Sequence, residues 1–178
     1  CFDQVSAFLD AGHRLLVLYG ERYTGKTSFL NQLPLRLSAR YQVRRVDVAP
    51  LAGAKTDPLW MIMVGAALAL GREPPDKRAQ AARPYTYASD YLRKLVSDAE
   101  GFTYLLCLDG LPTAALSSQR RWREALDTLT GALDEINGLA ILLSVEGLPT
   151  AVSLQDDFPD LPKIVLGPLQ EDEAEDLL

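Results

Sequence analysis

Histidine is almost missing from this chain: its 178 residues contain one, His13. A Ser-His-Asp triad therefore has a single possible base, in a turn ahead of an apolar run, where a lone histidine is ordinarily an incidental polar residue. Histidine-based metal sites are excluded. Cysteine is as scarce. Cys1 and Cys107 stand far apart, the second inside an apolar run, so neither a disulfide framework nor a cysteine metal site is present. A reducing, cytoplasmic setting is the default expectation. No apolar run approaches the ~18–20 residues of a membrane span; Leu59 to Leu70 is too short, and no signal-peptide pattern opens the chain. Positive charge is in deficit. Eighteen Lys and Arg against 24 Asp and Glu give a net charge of −6 and a pI near 4.8, which argues against a surface built for nucleic acid. The local basic clusters Arg44-Arg45 and Arg120-Arg121-Trp122-Arg123 read as solvated helix faces.

What the chain does contain is ordinary in bulk, 48% hydrophobic and 24% charged residues, enough for one self-sufficient core. One local pattern is not ordinary. Gly20-Glu21-Arg22-Tyr23-Thr24-Gly25-Lys26-Thr27 fits the phosphate-binding loop G-x-x-x-x-G-K-S/T. Leu15 to Tyr19, before it, has the length of a buried strand. Ser28, Phe29, Leu30, Leu33, Leu35 and Leu37, after it, have a mostly helical spacing. The glycines let backbone N–H groups turn toward an anion, and the following helix N-terminus adds partial positive charge. Lys26 has the reach to serve β- and γ-phosphates, and the Thr27 hydroxyl is a ligand for Mg²⁺. Gly20 through Ser28 is the expected nucleotide-contacting segment.

The remaining pattern alternates. A helix over Phe2 to Leu9 ends at Gly12. Strands are expected over Arg14–Tyr19, Gln42–Val48, Phe102–Asp109, Leu139–Val145 and Lys163–Leu166. Helices are expected over Lys26–Arg40, Leu59–Leu70, a stretch marked by Tyr87 to Val96, Gln119–Asn137 and, acidic in character, Gln170–Leu178. Gly71–Pro84, rich in Gly, Pro, Arg and Lys, reads as a surface loop. Such alternation predicts an α/β/α sandwich around a mainly parallel sheet, with ligand at the carboxyl ends of the strands. A phosphate loop also needs a carboxylate for Mg²⁺. Asp109, delivered by Leu105 to Leu108, fits that need.

Together with these two motifs, the segment IVLGPLQEDEAEDLL resembles the signal-transducing STAND ATPases of the AAA-related P-loop proteins. In that family a fifth strand, a Gly/Pro–Leu turn and an acidic helix open a lid. Leu166-Gly167-Pro168-Leu169 and Glu171–Leu178 follow the pattern. The resemblance implies a five-stranded sheet ordered 5-1-4-3-2, a nucleotide-binding domain over 1–168 and the start of a helical lid over 169–178. It makes Gly20, Gly25, Lys26 and Thr27 the phosphate and Mg²⁺ residues, Asp109 the Walker B aspartate, and Phe2–His13 a lining for the base. Ser144 falls where the family has a polar sensor; an ordinary strand-end hydroxyl fits the position equally. The chain also departs from related ATPases. Gly110 stands where a second acid orients water, and Val145-Glu146 replaces an arginine after the fourth strand. Glu146 is either a substitute base or a loop carboxylate.

These readings converge on an ATP- or ADP-binding switch module with Mg²⁺, slow or silent in hydrolysis, within a larger signalling protein. The chain begins at Cys1 and stops at Leu178 within a helical pattern, which reads as a domain of a longer protein. Other domains of the same polypeptide and self-association are the expected partners besides nucleotide, with arginines 120, 121 and 123 available to act in trans. A degenerate scaffold and a small-molecule kinase are the alternatives. A GTPase is disfavoured because no N-K-x-D stretch exists to read guanine, so adenine is the expected base.

Overall fold

An apolar run is stable as a strand interior when both of its faces are covered. The computed structural model describes residues 1–51, 56–111, 119–146 and 161–167, with Gln119 and Glu146 described by backbone alone. Within it, β1 spans Leu15–Gly20, β2 Tyr41–Asp47, β3 Thr103–Leu111, β4 Leu139–Glu146 and β5 Lys163–Leu166. The helices are α1 Phe2–Asp10, α2 Lys26–Arg36, α3 Pro58–Ala69, α4 Lys77–Ala82, α5 Pro84–Leu95 and α6 Gln119–Asp134. The strands form one parallel sheet in the order β2-β3-β4-β1-β5, the expected order read from its other end. β1 is buried along its whole length, and β3 and β4 nearly so.

Alternation along the strands assigns each residue to a layer. Leu16, Leu18, Leu105, Cys107, Ala140 and Leu142 face α1 and α2, meeting Val5, Leu9, Phe29, Leu30 and Leu33. Val17, Leu106, Leu108, Ile141 and Leu143 face the other way, onto Ile62, Met63, Leu92, Leu126 and Leu129 of α3, α5 and α6. α3 is buried almost all round, as its apolar sequence requires. Its start is fixed by Pro58 in the first turn and by Asp57, whose Oδ1 accepts the Trp60 amide at 2.8 Å.

Four local expectations are corrected. α2 ends at Arg36 rather than Arg40, because Pro34 in its last turn removes an amide donor and Leu37 turns extended. α6 ends at Asp134, ahead of Asn137. Gly71–Pro84 is not a plain loop. It contains α4, started by Asp76, whose carboxylate accepts the amides of Arg78 and Ala79, and tied inward by Gln80 Nε2 donating to Asp57 Oδ1 at 3.2 Å. Arg44-Arg45 lies on β2 and not on a helix. The expected lid over 169–178 falls outside the described residues.

β3 also runs two residues past Asp109, through a bulge. Leu108 pairs with Leu143 and Leu111 with Val145, so Asp109 and Gly110 together stand opposite Ser144 alone. The extra residue returns Leu111 to the same buried face as Leu108 and leaves Asp109 on the α2 side. Gly110 makes this possible at φ 79°, and a Cβ there would meet Asp47 Oδ1 at 3.0 Å and Ala49 Cβ at 3.1 Å. Gly110→Ala should therefore lower unfolding free energy by about 1–2 kcal/mol, the left-handed penalty. Urea denaturation reads this directly, and an unchanged or raised stability would contradict the bulge geometry.

Candidate functional site

The site is built where β1 ends. Gly20 closes the strand against Thr24 and β5: a Cβ would run into Thr24 Oγ1 and lie 3.1 Å from the Leu166 carbonyl oxygen. That steric limit is why the loop pattern opens with glycine. Thr24 Oγ1 then donates to the Glu21 carbonyl at 2.9 Å, which folds the loop back on itself. Tyr23 turns the chain at φ 69°, a left-handed conformation unusual for a side-chain-bearing residue, and lies 86% exposed with the Arg22 guanidinium 5.1 Å from its ring centre. Gly25 continues the turn at φ 80° into α2.

α2 begins with no side-chain cap. Its first amides are therefore free of side-chain acceptors and concentrate the positive end of the helix at the loop. Lys26 is buried there and donates at 2.7 Å to each of two loop carbonyls, Gly20 and Glu21. The loop's own oxygens thus hold the ammonium inside the loop.

Across the sheet edge stands Asp109, 6% exposed. Three donors converge on its Oδ2: Thr27 Oγ1 at 2.8 Å, Arg45 Nη2 at 2.8 Å and Arg45 Nε at 3.1 Å. Arg45 also donates through Nη1 to Asn31 Oδ1 on α2 at 3.3 Å. Burial pushes the Asp109 carboxyl up, but the hydrogen bonds from Thr27 and Arg45, the neighbouring Ser144 hydroxyl and the Arg45 charge outweigh it and hold the group below the usual carboxylate range. Ser144 is near enough to exert this influence, yet its buried Oγ has no partner within hydrogen-bond geometry among the described residues. That orphaned hydroxyl faces the α2 layer beside the carboxylate.

The fold thus brings Lys26, Thr27, Asp109 and Ser144 to one sheet edge. Glu146 is at the end of β4, its backbone in register with Gly20; its side chain lies outside the described residues. Glu21, Arg22, Tyr23, Thr27 and Ser28 are solvent-facing, and Thr24 and Lys26 are buried. α1 lies on α2, with the Phe2 and Phe29 rings stacked 4.5 Å apart. The expected basic stretch on α6 is a solvated face, Arg120 pairing with Glu124. Sequence reasoning missed Arg45 and Asn31. Arg45 follows Val43 by two on β2, the period that places it on the α2 face, and Asn31 follows Thr27 by one helical turn.

The donor set suits Mg²⁺. That ion takes oxygen ligands, one or two from carboxylates and the rest from water and phosphate. A hydroxyl and a carboxylate stand together, and no cluster of three or more His, Cys, Asp or Glu side chains among the described residues offers a competing cage. No helix among the described residues is long and apolar enough to cross a membrane.

Comparisons with known proteins agree on the architecture. No protein-family model and no curated protein matches the chain. Solved structures do. The ORC2 protein of Aeropyrum pernix in its ADP form superposes with a TM-score of 0.64 at 21% identity, covering 98% of this chain and 49% of that one. A Walker-type ATPase of Pyrococcus abyssi gives 0.60 at 14%, covering 99% and 55%. Drosophila ORC bound to DNA gives 0.53 at 15%, covering 98% and 93%. The fold is that of an α/β P-loop NTPase. The chain spans about half the length of the first two of these proteins.

The lowered Asp109 carboxyl has a consequence for stability. A carboxylate whose folded-state affinity for protons is depressed stabilises the fold above its unfolded-state titration, and that contribution disappears as pH falls through the folded-state one. The stability gap between the parent chain and Asp109→Asn, from urea titrations at neutral and acid pH, should be largest at neutral pH and shrink below the carboxylate range. A gap that stays constant with pH would show the ionised form to be unimportant.

Proposed function

We propose that this P-loop domain binds ATP or ADP with Mg²⁺ and serves as a nucleotide-dependent switch of the STAND type within a larger, cytoplasmic signalling protein. The observation that carries the reading is the pairing of an uncapped α2 N-terminus and its buried Lys26 with the Thr27–Asp109 contact 2.8 Å across the sheet edge. Anion-binding and cation-binding groups stand side by side, as a metal–polyphosphate ligand requires.

In this reading the loop amides and Lys26 bind and orient the phosphates. Thr27 and Asp109 hold Mg²⁺, which when bound neutralises charge on the phosphate oxygens. Ser144 offers its unpartnered hydroxyl near the same carboxylate. α1, with Phe2 to His13, lines the base, and adenine is favoured. Residues 1–168 form the nucleotide-binding domain and 169–178 lead into a lid.

Turnover is slow for a structural reason. The position after Asp109, where a second acid would orient water, is the left-handed bulge residue Gly110, crowded by Asp47 and Ala49. Glu146, on the strand end in register with Gly20, is the remaining candidate for that role. An arginine from a neighbouring copy, or arginines 120, 121 and 123 acting in trans, would complete the set only in an assembly. The small-molecule kinase alternative gains no support from Gly71–Pro84, where α4 is tied to Asp57 at the start of α3.

Lys26→Ala removes the charge that faces the phosphates, and charge-assisted bonds of this kind contribute roughly 1.5–3 kcal/mol each. Affinity for ATP should fall by roughly 10- to 150-fold in a calorimetric titration, and unchanged binding would sink the assignment. Hydrolysis by the parent chain should stay well below the ~1–100 s⁻¹ of kinases; a faster rate would show that the water-orienting group has been misplaced.

A further inference from the structure

The cationic partner of Asp109 among the described residues is a side chain, the Arg45 guanidinium. Arg45 gives two of its N–H groups to Oδ2, the oxygen that also accepts the Thr27 hydroxyl. Its third contact, from Nη1 to Asn31, fixes the guanidinium to the helix that carries Thr27. Arg45 side-chain exposure is 31% and that of Asp109 is 8%, so the arginine side of the pair faces solvent.

Asp109 Oδ2, already engaged by three donors, has no lone pair to spare for a divalent ion. To receive Mg²⁺ on that oxygen, beside the Thr27 hydroxyl, Asp109 has to release Arg45 in whole or part. Electrostatics points the same way, since a guanidinium beside the carboxylate repels an incoming cation while attracting an incoming polyphosphate. The guanidinium also matches phosphate oxygens as well as it matches carboxylate. Asn31 keeps it tethered beside α2 once Asp109 lets go.

We propose that Arg45 is a metal-competing latch. It holds the metal side of the site shut in the metal-free state, supports metal-free nucleotide by its charge, and yields Asp109 when Mg²⁺ arrives. The consequence is a chain whose nucleotide affinity depends little on Mg²⁺, in keeping with a switch that retains its nucleotide. Arg45 is a positioning residue, acting through Asp109. The inference rests on the nucleotide-binding reading given above.

The test is ADP titration by calorimetry, in EDTA and in excess Mg²⁺, for the parent chain, Arg45→Met and Arg45→Lys. In Arg45→Met, metal-free ADP affinity should fall while Mg²⁺–ADP affinity holds or rises, widening the ratio between the two conditions by about tenfold or more. Arg45→Lys, which keeps the charge but not the fork, should widen it less, and carries the comparison alone if Arg45→Met does not fold. A purely structural arginine would weaken both conditions equally, so an unchanged ratio in the folded variants overturns the latch. A parent chain that binds ADP in neither condition would instead overturn the nucleotide reading itself.

Discussion

Three donors from two elements meet on one oxygen, Asp109 Oδ2, and the geometry of the whole sheet edge follows from that convergence. Thr27 reaches it from α2, and Arg45 from β2. The contact ties the helix that follows the glycine loop to β2, the next element in the chain, and to β3, which is remote from it in sequence. Its strength lies between the surface and buried limits, because Asp109 is enclosed while Arg45 is about one-third exposed. A contribution of about 1–3 kcal/mol is the scale to expect. The bulge at Gly110 serves the same end, for without the extra residue Leu111 and Asp109 could not both face their proper layers.

The two halves of the site differ in completeness. The loop half has a consistent geometry: a Cβ at Gly20 would press on Thr24 and Leu166, Gly25 is left-handed, α2 starts with no side-chain cap among the described residues and Lys26 is buried at the loop. Beside Asp109, the bulge that positions it puts Gly110, crowded by Asp47 and Ala49, at the next residue. One backbone device thus places the Asp109 carboxylate and fixes the residue after it as a left-handed glycine. Under the function proposed above, such a domain would hold a ligand longer than it transforms one, the property a switch needs.

Much of this was legible in the residues, for identifiable reasons. β1, β3 and β4 announce themselves because strands buried on both faces must be continuously apolar, and the loop pattern between β1 and α2 has little other meaning. The strand order came from family resemblance and not from periodicity. α4 was hidden because Gly71, Pro74, Pro75 and Pro84 dominate its surroundings, while six residues are too few to display a helical face. The end of α2 was overrun because Leu35 and Leu37 continue an apolar spacing past Pro34, although Leu35 is in fact 84% exposed. Arg45 was misread because its partner, Asp109, lies across a parallel pairing whose register no local pattern reveals. The bulge was invisible for a similar reason: glycine after aspartate is compatible with many turns.

In the proposed function, this loop, helix start and carboxylate together hold an adenine nucleotide. The most direct measurement is to purify the chain without added nucleotide, denature it, and identify and quantify the small molecules released by chromatography and mass spectrometry. ADP or ATP in amounts comparable with the protein is the expected result. A chain that releases no nucleotide, and that also fails to bind added ADP or ATP at millimolar concentration, would contradict the account.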